Sequence, residues 1–226
     1  IGDGYVSGFR DGSLSGDGTK NSFPALIAAQ MQSSVGFDQS SDFVVINITS
    51  PGMPPHIEVD GFIDGLPNLD FDQSDEAPGS PANLDYPVPY NNLGIPNGTL
   101  NDVLTRTGAD ENNINTAFFD LYLRYTGLTQ LTSTILLEPT FIILWPGITD
   151  ALSPAIIGQV VPGIAPTPVT TFADDYNQLI NLLVANLPNV QMVAATIPDP
   201  STFTYFHYHE PSMEGLPVMD ETGNFR

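Results

Sequence analysis

Residues 171–189, TFADDYNQLINLLVANLPN, narrow the choice of fold more than any other stretch of the chain. Phe172, Tyr176, Leu179, Ile180, Leu183, Val184 and Leu187 recur at helical spacing, which is the apolar stripe of a helix with one side against a core. The pattern puts Asp174 and Asp175 in the first turn, where the helix dipole favours anions. Two short apolar runs bracket the helix, TFIILW (140–145) and VQMVAATIP (190–198). The first is bounded by Pro139 and Pro146, and both have the length and character of buried strands. Strand, helix and strand in that order call for a parallel pair, because a parallel connection has to cross over. The expected class is α/β with a mainly parallel sheet, and ligands of such sheets bind beyond the carboxyl ends of the strands.

The rest of the chain fits one domain over residues 1–226, with 41% hydrophobic residues to build its core. Ser22-Phe23-Pro24 before ALIAAQMQSS reads as a capped helix start. DFVVINI (42–48) reads as a strand, and residues 100–106 and 114–127 read as helices, the second stopping at Gly127. Residues from about 50 to 90 are rich in Pro, Gly, Asp and Asn. They form an acidic, irregular insertion with room for a short hairpin, and so long an insert is usually functional or mobile. From about residue 199 the pattern dissolves into aromatic and proline-rich coil.

Charge excludes some functions. Twenty-six acids stand against five bases, for a net charge of −21. Such a chain repels nucleic-acid phosphates and anionic membrane surfaces, and stays soluble in saline or extracellular surroundings. There is no cysteine, hence no disulfide, thiolate metal site or cysteine nucleophile. No apolar run reaches the length of a transmembrane helix. The chain opens at Ile1 inside an expected strand, so a processed or incomplete chain is expected, with any signal or lipoprotein anchor lying upstream. The sequons at Asn47 and Asn97 matter only in a eukaryotic secretory route.

Three segments should meet at the carboxyl end of the sheet: the turn after Ile1, the loop after TFIILW and the loop after VQMVAATIP. The opening IGDGYVSGFRDG reads as a strand end entering a tight turn. IGDGYVSGFRDGSLSGDGTKNSFPALIAAQM resembles the first block of the SGNH/GDSL hydrolases, lipases and esterases that begin Gly-Asp-Ser. PYNNLGIPNGTL is similar to their second block, EPTFIILWPGITDAL to the third, and TPVTTFADDYNQLINLL with VQMVAATIPD to the helix and strand that follow. The similarity runs from Ile1 to about Asp199 and is nearest the surface-lipoprotein branch of the family. It implies a three-layer α/β/α sandwich, flavodoxin-like in its winding.

In that family the first-block serine is the nucleophile. Its N–H, a second-block glycine N–H and a third-block asparagine form the oxyanion hole, and an Asp-x-x-His block supplies the base. Carried onto this chain, the nucleophile falls on Gly4 beside Asp3, the second-block glycine on Asn97 with Gly98 one place late, and the third-block asparagine on Thr149 beside Asp150. Gly4 has no hydroxyl, Thr149 keeps a hydroxyl of shorter reach than an amide, and Asp-x-x-His is absent. Ser7 is the nearest other hydroxyl, displaced by three residues. No catalytic set is intact by this reading.

Other constellations have plainer readings. His207 and His209, with Glu210, are spaced for one side of an extended metal site, but the aromatic residues around them favour surface packing. Asp11 and Asp17 lie in a loop able to hold calcium, yet without the EF-hand spacing. His56 reads as a solvated side chain. The acids and apolar residues of 60–77 fit either a docking or cation-binding loop, or an excursion held down by its apolar residues. Trp145 is a core residue or a cleft wall.

The expectation is a secreted or surface-displayed, catalytically degenerate SGNH-type protein that acts as a binding or structural subunit with protein partners and needs no cofactor or metal. The competing expectations are an ester hydrolase whose nucleophile was altered, and a lipid- or carbohydrate-binding protein that reuses the cleft.

Overall fold

The structure is a computed structural model that describes residues 1–32, 37–63, 66–70, 77–113, 116–157, 166–199 and 202. The chain divides into two compact units, Ile1–Thr196 and Ile197–Arg226. In the second, the described Thr202 donates its N–H and hydroxyl to the Asp199 carbonyl. His207, His209 and Glu210 lie outside the described residues.

The first unit is a mixed α/β structure. Its elements are α1 (Gly4–Ser7), α2 (Gly16–Lys20), α3 (Phe23–Met31), α4 (Gln39–Asp42), β1 (Glu58–Ile63), β2 (Leu66–Asp70), α5 (Leu100–Thr105), α6 (Phe118–Leu123), α7 (Gln130–Leu136), β3 (Phe141–Leu144), α8 (Ile148–Ile157), α9 (Val169–Asn186) and β4 (Gln191–Ala194). β3 and β4 pair in parallel, Phe141 opposite Gln191 through Leu144 opposite Ala194. Parallel bridges continue this order on the other side of β3: Gly2 bridges Trp145 and also Gly94. β1 and β2 form a separate antiparallel hairpin inside the expected insertion.

The expected strand–helix–strand unit forms around α9. Leu179 and Leu183 are fully buried beside Ile142 and Leu144, while Phe172, Tyr176, Ile180 and Leu187 pack on that cluster. Val184, expected on the same face, is exposed. The helix also begins earlier, at Val169 behind Pro168, which moves Asp174 and Asp175 out of the first turn. Leu100 and Val103 of α5 and Leu131 of α7 complete this core. Helix α7 was not expected; Thr129 and Thr132 cap its start reciprocally.

DFVVINI does not form the expected strand: α4 extends through Asp42, and only Ile48 makes a bridge, to Pro81. Asparagine amides replace much of the missing ladder. Asn91 Oδ1 accepts the Val44 N–H at 2.8 Å, Asn83 Oδ1 accepts the Asn47 N–H at 2.9 Å, and Asn83 Nδ2 donates to the Val45 carbonyl at 2.9 Å. The neighbouring chain contains Pro81, Pro87 and Pro89, which have no N–H to give a strand partner.

The helix expected over 114–127 is confined to Phe118–Leu123. Arg124 and Tyr125 turn left-handed at φ 52 and 56, before Gly127 is reached. The Arg124 guanidinium donates to the carbonyls of Leu84, Tyr86 and Val88 and lies 4.6 Å from the Tyr90 ring centroid. These contacts fix where the chain must leave the helix. Ser22 occupies the start of α3 without capping it; its hydroxyl donates to Thr19 and accepts from Asn92 instead. Among the described residues no helix is long and apolar enough to cross a membrane.

Candidate functional site

The chain leaves Gly2 between Gly94 and Trp145 and turns at once into α1. This approach is close: a Cβ on Gly2 would lie 2.2 Å from a Val6 methyl, and one on Gly94 would lie 2.5 Å from the Ser7 nitrogen. Both positions therefore need glycine if α1 is to sit directly over the strand ends. Two buried amides fasten the arrangement. Gln130 Nε2 donates to the Gly2 carbonyl at 2.9 Å and the Leu93 carbonyl at 2.5 Å. Asn92 Nδ2 donates to the Val6 carbonyl while its Oδ1 accepts the Gly94 N–H.

Asp3 caps α1 and is 1% exposed. One carboxylate oxygen accepts the Tyr5 N–H at 3.2 Å; the other accepts the Thr149 N–H at 2.9 Å and the Thr149 hydroxyl at 3.3 Å. A single carboxylate thus receives N–H groups from the first turns of α1 and α8. Burial pushes the Asp3 carboxyl above its ordinary value, the Thr149 and Tyr5 donors oppose that shift, and Asp150 reinforces it. Asp150, also buried, accepts the Leu100 N–H at the start of α5 and the Thr167 hydroxyl. Its carboxyl is likewise raised, first by burial.

Gly4, the first residue of α1, is bordered by Phe9 and Pro96. A Cβ there would be 3.6 Å from the Phe9 Cβ and 3.7 Å from the Pro96 Cα, ordinary van der Waals contact. The missing side chain therefore has room. Asn97, next to Pro96, is left-handed at φ 62, a conformation that favours glycine and that asparagine tolerates. The turn closes with the Gly98 N–H on the Ile95 carbonyl. The turn at Gly4 and the segment carrying Asn97 thus meet, and Asp3 ties Thr149 to them.

Among the described residues the hydroxyls near the turn are engaged within the protein. The Thr149 hydroxyl, expected to keep a donor for the cleft, is turned onto Asp3, because a buried carboxylate is its neighbour. Ser7 is fully buried, with its hydroxyl donating to the Gly4 carbonyl and accepting the Phe9 N–H. His56, the histidine among the described residues, contacts the Pro51 carbonyl and Glu58. Asp17 binds Arg10 and Asn21, and Asp11 is exposed. Among the described residues no group of three His, Asp or Glu side chains is arranged to hold a metal.

Trp145 stands beside the turn, its ring centroid 6.4 Å from that of Tyr5 and 5.5 Å from that of Phe23. Its indole N–H donates to the Thr196 carbonyl at 3.0 Å, so the segment after β4 reaches the same end of the sheet. A separate apolar cavity of about 240 Å³ lies between α3 and the sheet, lined by Val6, Ala28, Met31, Leu93, Phe141 and Ile143 among others. Asn92 and Thr134 on its wall are already hydrogen-bonded within the protein.

Sequence reasoning missed Gln130 and the bonding role of Asn92. Asn92 lies inside a block that was already conspicuous, whereas a glutamine on an unexpected helix gave no signal. The chain matches no family model, and no curated protein and no solved structure gives a significant match.

Proposed function

We propose that this chain is a three-layer α/β/α domain of the SGNH-hydrolase type whose acyl-transfer turn has lost its chemistry. In this reading it serves as a secreted or surface-displayed binding or structural subunit. The observation that carries the reading is the state of the turn at Gly4. Its cap, its helical start, the left-handed residue at Asn97 and the tie to Thr149 are all built, while the position for the attacking oxygen holds only hydrogen. Three layers are supported by the bridges Gly94–Gly2–Trp145 beside the β3–β4 pair. Leu144 turns toward α5 and α9, and Phe141 and Ile143 line the cavity beneath α3. The net charge of −21 suits exposure to an extracellular medium.

The direct test is hydrolysis of p-nitrophenyl acetate by the purified chain. Background rates are expected, and turnover that titrates with protein and is lost on denaturation would defeat the reading. The cavity favours a second reading, a carrier of a small apolar molecule, since its lining is mainly apolar with a few polar groups. Saturable binding of neutral N-phenyl-1-naphthylamine, lost in Ala28→Phe, would support it.

A further inference from the structure

The cavity beneath α3 passes between strands and does not merely lie on them. Ala28 and Met31 of α3 line it from one side of β3 and Thr134 of α7 from the other, while Ile143 and Leu93 form its edges. Gly2 bridges Gly94 and Trp145 at once, so Ile1–Gly2 occupies the place between β3 and the segment that reaches Gly94. Two strands that flank a third stand roughly 10 Å apart. Among the described residues no strand continues that place beyond Ile1. β3 has β4 on one side, and on the other its line of bridges stops at Gly2.

Main-chain groups point into the gap. The Trp145 N–H donates to the Ile1 carbonyl at 3.0 Å and the Ile1 nitrogen donates to the Ile143 carbonyl at 2.9 Å, the first bonds of a parallel ladder. On the β4 side, the Gln191 N–H donates to the Thr140 carbonyl and the Ala195 N–H to the Leu144 carbonyl. That register gives Ile142 and Leu144 to β4. Alternation leaves Phe141 and Ile143 to the other side, with the Ile143 N–H and the Phe141 carbonyl facing the gap. Across it, the Ile95 N–H donates to the Gly2 carbonyl at 3.1 Å, and the same alternation turns the Leu93 N–H inward. Such groups in an apolar gap call for a backbone partner, which a hydrocarbon cannot supply. The gap also runs straight into the buried Ile1 nitrogen, whose amine is pushed down to about 5 by that burial. A peptide amide would make the same bond to Ile143 with no charge to desolvate.

We propose that the cavity is the lane of a further strand, filled by an extended segment of this protein's own polypeptide that runs parallel to β3 and joins Ile1 through its nitrogen. Counting back from Ile1, the carbonyl of the first residue accepts the Leu93 N–H. The second residue donates its N–H to the Phe141 carbonyl, and its own carbonyl accepts the Ile143 N–H. The first and third side chains turn toward Ala28 and Met31 and the second toward α7, because Ile1 and Leu144 already share the core on the α5 and α9 side. This lane is independent of the reading of the Gly4 turn, and it competes with the small-molecule reading of the same cavity.

The test compares the full chain with extended forms that carry Val-Val-Val or Val-Pro-Val directly before Ile1. Val-Val-Val should raise the melting temperature by about 5 °C, slow amide exchange at Ile143 about tenfold and leave no saturable binding of N-phenyl-1-naphthylamine. Proline at the second place has no N–H for the Phe141 carbonyl, so Val-Pro-Val should give about half of that protection or less. Thr-Val-Thr should reproduce the Val-Val-Val result and serves as its more soluble equivalent. Exchange at Ile143 unchanged by Val-Val-Val and by Thr-Val-Thr overturns the proposal, as does equal protection by Val-Pro-Val. Dye binding retained by the Val-Val-Val form gives the cavity to a small apolar molecule and overturns it too. Full protection of Ile143 by free acetyl-Val-Val-Val would assign the lane to a separate chain, with the same consequence.

Discussion

Asp3 and Thr149 are joined by the Thr149 N–H and hydroxyl on one carboxylate oxygen, across 146 positions of sequence. The bond fixes the turn at Gly4 relative to the start of α8, and the same carboxylate caps α1. Asp3→Ala leaves both helix starts uncapped and should cost about 2 kcal/mol in urea unfolding. Asp3→Asn retains an acceptor and should cost less than the alanine variant.

The ionisation of this pair gives a signed pH dependence. Asp3 and Asp150 are both held above the ordinary aspartate range by burial, so above that range the folded state holds protons that the unfolded chain releases. Stability should fall as pH rises from near 4 through the folded-state values, then level off. Thermal melts between about pH 4 and pH 8 should show this decline, and Asp3→Asn should make it shallower. A melting temperature that climbs across the same range contradicts it.

Gly4→Ser should fold normally. The added Cβ meets only ordinary contacts, and replacing glycine at a helical position should leave stability unchanged or higher by about 0.5 kcal/mol. Hydrolysis of p-nitrophenyl acetate should stay at background, because His56 is engaged with Pro51 and Glu58. Turnover gained by this variant would show that the turn still supports acyl transfer once a hydroxyl is restored.

Gln130→Leu should be among the more damaging single changes. It removes the Gln130 amide from the Leu93 carbonyl and leaves the Gly2 carbonyl with the Ile95 N–H alone, at a fully buried position. The expected loss is about 3 kcal/mol by urea titration, with the melting temperature down by roughly 6–12 °C.

Asn83→Ala removes the amide that serves Val45 and Asn47 in place of a strand partner. A loss of about 2 kcal/mol is expected, accompanied by faster amide exchange at Asn47. Exchange unchanged there would mean that another group holds the segment.

The sequence carried the α9 unit well, because Leu179 and Leu183 repeat on a face that the core requires to be apolar. It failed at DFVVINI, where a strand-like composition is served by asparagine side chains instead of a ladder; periodicity sees apolar residues, not their hydrogen-bond partners. It failed again at Arg124, whose reach to distant carbonyls ends α6 earlier than the glycine signal suggested. At the site, Gly4, Asn97 and Thr149 were legible as three separate turns. The inward rotation of the Thr149 hydroxyl was not, since it depends on how deeply Asp3 is buried. Gln130 stayed invisible because its role is to bridge two carbonyls that only the fold brings together.

The open space at Gly4 has a practical consequence. The chain contains no cysteine, so Gly4→Cys would introduce one thiol at a position that accepts a Cβ without collision. A nitroxide or fluorophore attached there would act as a single-point reporter at the mouth of the sheet, a fixed vantage on whatever approaches it.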